Sequence, residues 1–538
     1  MLVWVLFLHV WIHQKGYDDP TPYSRLALLR AITIDCSLKI NRWHRGTSDK
    51  AIIRNCYYSD KAPATTALAL PAFVLTTEIL ELAGVPADSS DSSANWLGTS
   101  CAACAFSQAL PAALGAVALF AWLRRFVRQR VALVTVLALT LGSLPLPYST
   151  LLFSHAQVIG LIGIAIWAMG MFESDAGYRM PGVGSENPGA RSQESEVRIG
   201  AGRMALAGFC LGLALASEYT AGIVVVALGA YVVVRECGRF RREKLEARSQ
   251  KSEDRQGSTE ARGGEKLEAR SWKPEERQGS AGASPDRERA RRSPIVPRPL
   301  LWFLLAAIPP LLLIPVYSWA TIGTPFDLPY SYQANFPEMK EGLYAIKWPD
   351  LENLGRLLIG PTRGLVFWTP FLVMAGFGWW WMAKERPRWL WLTYAVPILH
   401  ALVISGRTWD WQAGPTISAR YMAPILPLLA LPCAIGTQRW PKLGGALAIV
   451  SIAMMTLATI TDACPNYSIY NPLTELHMPK FLKGEFSYTL GTVVFGLPPY
   501  VSVALYYAIL VGGIWWLWKR LPPEPEERRM PAPNAIGQ

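Results

Sequence analysis

Apolar runs of nearly membrane-crossing length recur along the chain, separated by short polar stretches. The pattern predicts spans at 1–13, 101–123, 131–147, 153–173, 204–217, 219–235, 299–322, 365–383, 388–405, 421–436, 442–461 and 498–518. The expected fold is an all-α polytopic membrane protein with about 11–13 transmembrane helices. The first run is short: at ~1.5 Å per residue it covers only ~20 Å of a ~30 Å hydrocarbon core, which implies a longer first helix. It lacks the basic n-region and small-residue cleavage site of a signal peptide.

The further apolar run 64–84 decides the topology. If it crosses the membrane, the basic loop with Arg124, Arg125, Arg128 and Arg130 and the basic linker 236–298 fall on the same side as the polar stretch 14–62. If it lies along the outer surface as a juxtamembrane helix, both fall opposite, with Lys384, Arg386, Arg388, Arg439, Lys442, Lys519 and Arg520. The second arrangement satisfies the positive-inside rule better and puts both termini inside. It requires 204–235 to be two short helices. The chain then divides into an N-terminal transmembrane module (1–235), with an external loop at 14–62, and a C-terminal module (299–520) with a cytoplasmic tail (521–538). Between them, 236–298 is highly charged and nearly free of large apolar residues. Lys244–Ser249 repeats as Lys266–Ser271, and the segment reads as a disordered, solvated cytoplasmic linker.

Composition agrees: 51% of residues are hydrophobic, 22 are Trp, and the mean hydropathy is +0.20. The net charge of +12 lies largely in linkers and at helix ends, so positive-inside bias explains it better than nucleic-acid binding. The 14–62 loop breaks that rule with its many Lys and Arg, which suggests an anionic ligand outside. Cys101 and Cys104 have CxxC spacing but no second pair, and read as packing. Cys36 and Cys56 share the external loop and could bridge in an oxidising compartment.

With this topology, polar groups scattered through the sequence gather on one face. Asp18, Asp19, Asp49, Asp60 and Lys61 lie in the external loop. His155 opens the fourth span, and Glu218 and Tyr219 join the fifth and sixth. Arg363 precedes the eighth, and Arg407, Asp410 and Arg420 lie in or close the loop 406–420. Ionisable groups at a membrane rim are costly to desolvate and usually mark a site. Plainer readings stand beside this one: a helix cap for Glu218, an interhelical hydrogen bond for His155, and interface or helix-end positions for Arg420 and Arg363. Trp409, Trp411, Tyr330, Tyr332 and Phe336 fit an interfacial belt better than a sugar platform.

Several short motifs resemble the glycosyltransferase C superfamily, in its protein O-mannosyltransferase and lipid A aminoarabinose transferase branch. They are Asp18-Asp19-Pro20-Thr21-Pro22-Tyr23-Ser24-Arg25 with the Leu-Ala run that follows, Asp60-Lys61-Ala62-Pro63, Gly364 to Phe371, and Ser418-Ala419-Arg420-Tyr421-Met422-Ala423-Pro424. The chain departs from the pattern at Ala64, where the family often has Pro or Gly, and at Asp18-Asp19, where Asp-Glu is commoner. The resemblance implies an inverting transferase of the inner (cytoplasmic) membrane, moving a sugar from a polyprenyl-phosphate donor to a lipid, glycan or protein acceptor on the external face. It implies a carboxylate base, with Asp19 first, Asp49 second and Asp18 third. It implies Lys61, with Arg25 or Arg420, at the donor phosphate. By the same analogy Asp60 orients Lys61 or binds a divalent metal, Mg or Mn. The competing classes are a transporter or flippase, which predicts inverted repeats and midplane charges, and a non-catalytic scaffold. Convergence of Asp19, Asp60, Lys61 and Glu218 would favour the enzyme.

Overall fold

The computed structural model describes residues 1–14, 19–86, 93–172, 200–265, 297–340, 345–385, 390–407 and 410–521. Asp18, Arg386, Arg388 and Trp409 lie outside the described residues, as do most of the tail and residues 266–296 of the linker.

The architecture is all-α and multi-pass. Among the described residues, seven helices are long and apolar enough to cross a membrane, and five shorter apolar helices accompany them. From the N-terminus the helices are α1 (Leu2–Trp11), α2 (Pro20–Thr33), α3 (Ala64–Leu82), α4 (Ser93–Cys104), α5 (Leu110–Leu123), α6 (Gln129–Leu141), α7 (Pro145–Ser149), α8 (His155–Met169), α9 (Ala201–Ser217) and α10 (Gly222–Glu265). The chain continues with α11 (Arg298–Ile322), α12 (Leu351–Ile359), α13 (Leu365–Trp368), α14 (Val373–Glu385), α15 (Trp391–Ser405), α16 (Leu426–Arg439), α17 (Pro441–Thr461), α18 (Met478–Lys483), α19 (Leu490–Val493) and α20 (Pro499–Arg520).

Each expected span has a helical counterpart, but prolines divide three of them. The 131–147 run breaks after Leu141 and resumes at Pro145. The 365–383 run kinks through a 3-10 turn at Pro370–Leu372, and the 421–436 run opens as a 3-10 turn over Arg420–Ile425, which contains Pro424. The 204–235 run is two helices, separated at Glu218 by extended backbone. The linker departs from expectation: α10 continues as helix through Glu265, where disorder is predicted from residue 236. Its Lys, Glu, Ala, Arg and Gln residues are good helix formers, and the apolar half upstream already supplies the nucleus. Cys36 and Cys56 are both free, so no bridge joins them.

Small residues let the bundle helices approach closely. A methyl group on Gly115 of α5 would run into the Gly160 backbone of α8, and one on Gly208 of α9 into the Phe303 carbonyl of α11. A π-helical turn, Ala105–Ala109, joins α4 to α5 and presents Gln108 to Gln157 of α8. Helix α3 packs on α2 and α4. Thr65, at its start, donates to Gln157 at 2.9 Å, while Leu80 near its end meets Gly98. Helix α3 therefore runs antiparallel to the segment 93–108, away from the Arg124 end of α5. Two short antiparallel pairings complete the fold. The strand β1 (Ile12–His13) pairs with β4 (Tyr488–Thr489), and β2 (Lys50–Ile53) pairs with β3 (Cys56–Ser59).

Candidate active site

The β2–β3 hairpin brings the loop's charges together. Its two turn residues, Arg54 and Asn55, both have positive φ (49° and 62°), the conformation of a tight turn that matches strand twist. This fixes the register with Lys50 opposite Ser59. The residues that continue the two strands are then Asp49 on one side and Asp60 and Lys61 on the other. Lys61 Nζ lies 2.8 Å from Asp49 Oδ2 and 3.4 Å from Asp60 Oδ1. Gln333 Nε2 donates to Asp60 Oδ2 at 3.0 Å and is held there by a bridge to Ala51.

Asp19 joins this group as the N-cap of α2, accepting from the Thr21 amide at 2.9 Å, with Pro20 at the first helical position. The Thr21 hydroxyl donates to Asp49 Oδ2 at 2.6 Å, linking the cap to the hairpin. These carboxylates are buried and differ in how tightly they hold a proton. Burial, with repulsion from Asp49, pushes Asp19 up to about 6 against the pull of Arg420. Asp60 is also raised to about 6 by burial, opposed by Lys61 and reinforced by Asp49. Burial works against the Asp49 anion too, but the Lys61 ammonium and the hydrogen bonds from Lys61 and Thr21 outweigh it. Asp49 is held below the ordinary carboxylate range. The same pairing outweighs burial at Lys61 and keeps it charged.

A second set of groups comes from the start of α8 and the break between α9 and α10. Ser154 Oγ donates to Glu218 Oε2 at 2.5 Å, Thr220 donates to Glu218 Oε1 at 3.1 Å, and His155 Nδ1 lies 3.9 Å from Glu218. Burial disfavours the Glu218 anion, but His155, the Ser154 bond and the Arg25 and Arg420 charges hold it below its usual range. Arg25 reaches into this set, donating to the Leu152 carbonyl at 3.2 Å and to Ser154 Oγ at 3.4 Å. The two sets meet through aromatic rings: Tyr219 lies 5.8 Å from Tyr330, and Tyr330 lies 5.5 Å from Lys61 Nζ.

Arg420 faces both sets. Its guanidinium lies over Phe153 (4.6 Å) and Tyr421 (5.4 Å), and its charge stabilises the Asp19, Asp49 and Glu218 anions. It is buried, and among the described residues Nε and Nη1 meet no hydrogen-bond partner. Buried guanidinium donors are costly to leave unmade, so these two remain open to an acceptor. Asp410 is satisfied locally by Arg407 at 3.1 Å and the Tyr421 hydroxyl at 3.0 Å. Arg363 plays a different part from the one its position in the sequence suggests. Four of its five N–H donors go to the carbonyls of Thr362, Gln412, Gly414 and Pro465, so it clamps the 410–420 loop.

A divalent ion does not fit this arrangement. Asp49 and Asp60 are the paired carboxylates, and the Lys61 ammonium already sits between them. No group of three His, Cys, Asp or Glu suited to a metal occurs among the described residues. Sequence reasoning missed Thr21, Ser154, Phe153 and Gln333. The only available signals were Thr21 behind Asp19-Pro20, a capping pattern, and Ser154 at the head of an apolar run.

No family model matches the chain, and no curated protein does so significantly. Among solved structures, the crystal structure of ArnT from Cupriavidus metallidurans in the apo state is similar, with 14% identity, 96% of this chain and 73% of that chain covered, and a TM-score of 0.45. The crystal structure of the same protein bound to undecaprenyl phosphate matches with 16% identity, the same coverage and a TM-score of 0.41. A likeness this loose leaves the chemistry to the residues themselves.

Proposed function

We propose that this chain is an inverting membrane glycosyltransferase that moves a sugar from a polyprenyl-phosphate donor to an acceptor hydroxyl on the external face of the inner membrane. The observation that carries the reading is Arg420: a buried guanidinium with two donors unpartnered among the described residues, whose charge acts on Asp19, a buried carboxylate raised to about 6. An anion site and a general base within one another's field are what transfer from a sugar phosphate needs.

In this reading Asp19 accepts the proton of the acceptor hydroxyl as its oxygen attacks the anomeric carbon. The bond from that carbon to the phosphate oxygen breaks, and the phosphate leaves with the electron pair. Arg420 and Lys61 stabilise the charge that grows on it. Tyr219 and Tyr330 offer ring faces beside Lys61 for the sugar. Helix α3 starts directly after this site and carries exposed Leu75, Ile79 and Leu82, an apolar stripe suited to the donor's tail. Its course beside the segment 93–108, away from the basic Arg124 end, supports a juxtamembrane position. We assign no step to a metal.

Convergence of Asp19, Asp60, Lys61 and Glu218 supports an enzyme over a transporter, which needs midplane charges. The test is sugar transfer from a panel of polyprenyl-phosphate donors by the reconstituted protein, with Asp19→Asn and Arg420→Ala as comparisons. Transfer that both variants abolish supports the reading. Transfer unchanged in both overturns the site, and wild type inert with every donor and unable to bind the lipid phosphate overturns the function.

A further inference from the structure

In the reading above Lys61 stabilises the leaving phosphate, yet its ammonium is already paired. Its nearest partner is Asp49 at 2.8 Å, and its second is Asp60 at 3.4 Å. The two carboxylates are held differently. Asp60 is fully buried, follows directly on β3, and has its other oxygen anchored by Gln333. Asp49 precedes β2, and its anchor besides Lys61 is the Thr21 hydroxyl, which binds the same oxygen, Oδ2. Asp60 therefore stays with the hairpin, whereas Asp49 keeps a partner in Thr21 if the ammonium turns away.

We infer that Asp49 is an internal stand-in for the donor phosphate: it neutralises Lys61 in the ligand-free protein, and the phosphate displaces it when the donor binds. The inference rests on the transferase reading above. A buried ammonium is stabilised by counter-ions, and Asp60, at 3.4 Å, leaves Lys61 room for a second, closer anion, the place Asp49 takes at 2.8 Å. An incoming phosphate must then compete with Asp49 for the same donors. Arg420, with its unmade donors, offers the phosphate a second hold that Asp49 does not use. Asp49 is thus a positioning residue, and its removal strengthens the binding that most buried-charge removals weaken.

The experiment measures binding of undecaprenyl phosphate, a lipid monophosphate without sugar, to the purified full chain in nanodiscs. Asp49→Asn is expected to tighten binding by about tenfold. Thr21→Val, which removes the partner a displaced Asp49 would keep, is expected to weaken it. Lys61→Ala is expected to weaken binding, and in that background Asp49→Asn gives no gain. Unchanged or weaker binding in Asp49→Asn, with wild type binding normally, overturns the inference while leaving the transferase reading intact. Should Asp49→Asn fail to fold, unchanged or tighter binding in Thr21→Val overturns it equally. A wild type that binds no lipid phosphate removes the transferase reading and this inference together.

Discussion

Ser154 and Glu218 are joined by a 2.5 Å hydrogen bond between the first turn of one apolar helix and the break between two others. The same serine oxygen accepts from Arg25 at 3.4 Å, so one hydroxyl links α2, α8 and the α9–α10 junction. Ser154→Ala strands a buried carboxylate oxygen and a buried guanidinium donor at once. The expected result is a loss of about 1–3 kcal/mol of stability, seen as a lower melting temperature in detergent. Glu218→Gln, which keeps a Ser154 acceptor, is expected to cost less.

Arg420 cannot be replaced by another cation. Its planar fork lies over Phe153 and Tyr421, and its free donors point in fixed directions. Arg420→Lys and Arg420→Ala are both expected to lower transfer by roughly 10²-fold or more in single-turnover assays. Full activity in the lysine variant would show that only charge is needed there.

The raised Asp19 carboxyl gives opposite pH trends for activity and stability. Transfer requires the anion, so the rate is expected to fall as pH drops through about 6. For folding, the native state binds the proton more tightly than the unfolded chain. Asp19 therefore favours the native state most at low pH, and that contribution is lost as pH rises between 3.8 and about 6. Asp60 acts in the same direction, and Asp49, held low, acts oppositely at more acidic pH. An acid limb near pH 6 that survives in a residually active Asp19→Asn variant would assign the titration elsewhere.

Arg363 is expected to separate stability from binding. Arg363→Ala leaves the carbonyls of Thr362, Gln412, Gly414 and Pro465 without their donor. A cost of about 3 kcal/mol or more is expected, with the lowered melting temperature as the readout. Lipid-phosphate affinity in the protein that still folds is expected to stay near wild type.

Much of the fold was legible because hydrophobic length is a strong signal, and each apolar run is helical. The break at Glu218 was also readable, since a charged residue amid two apolar runs is hard to place inside one helix. Proline breaks at Pro145, Pro370 and Pro424 were visible in the sequence but not assigned, because an apolar run outweighs its punctuation when spans are sought. The candidate site was legible as a set of charges and not as a geometry. Asp49 and Asp60 meet only because the Arg54-Asn55 turn sets a hairpin register, and that turn lacks the glycine that usually announces one. Arg363 and Arg420 look alike in sequence, both buried arginines near a loop and a helix start. Only the count of carbonyls around each distinguishes the clamp from the open donor.

Helix α10 has a geometric consequence. Its 44 residues rise about 66 Å, roughly twice the hydrocarbon thickness of a bilayer. A rod of that length with an apolar first half holds its far end some tens of ångströms clear of the lipid headgroups. At physiological ionic strength that is several times the ~8 Å over which charges sense one another. The end of α10 at Glu265 is thereby electrostatically out of touch with the membrane that anchors the helix.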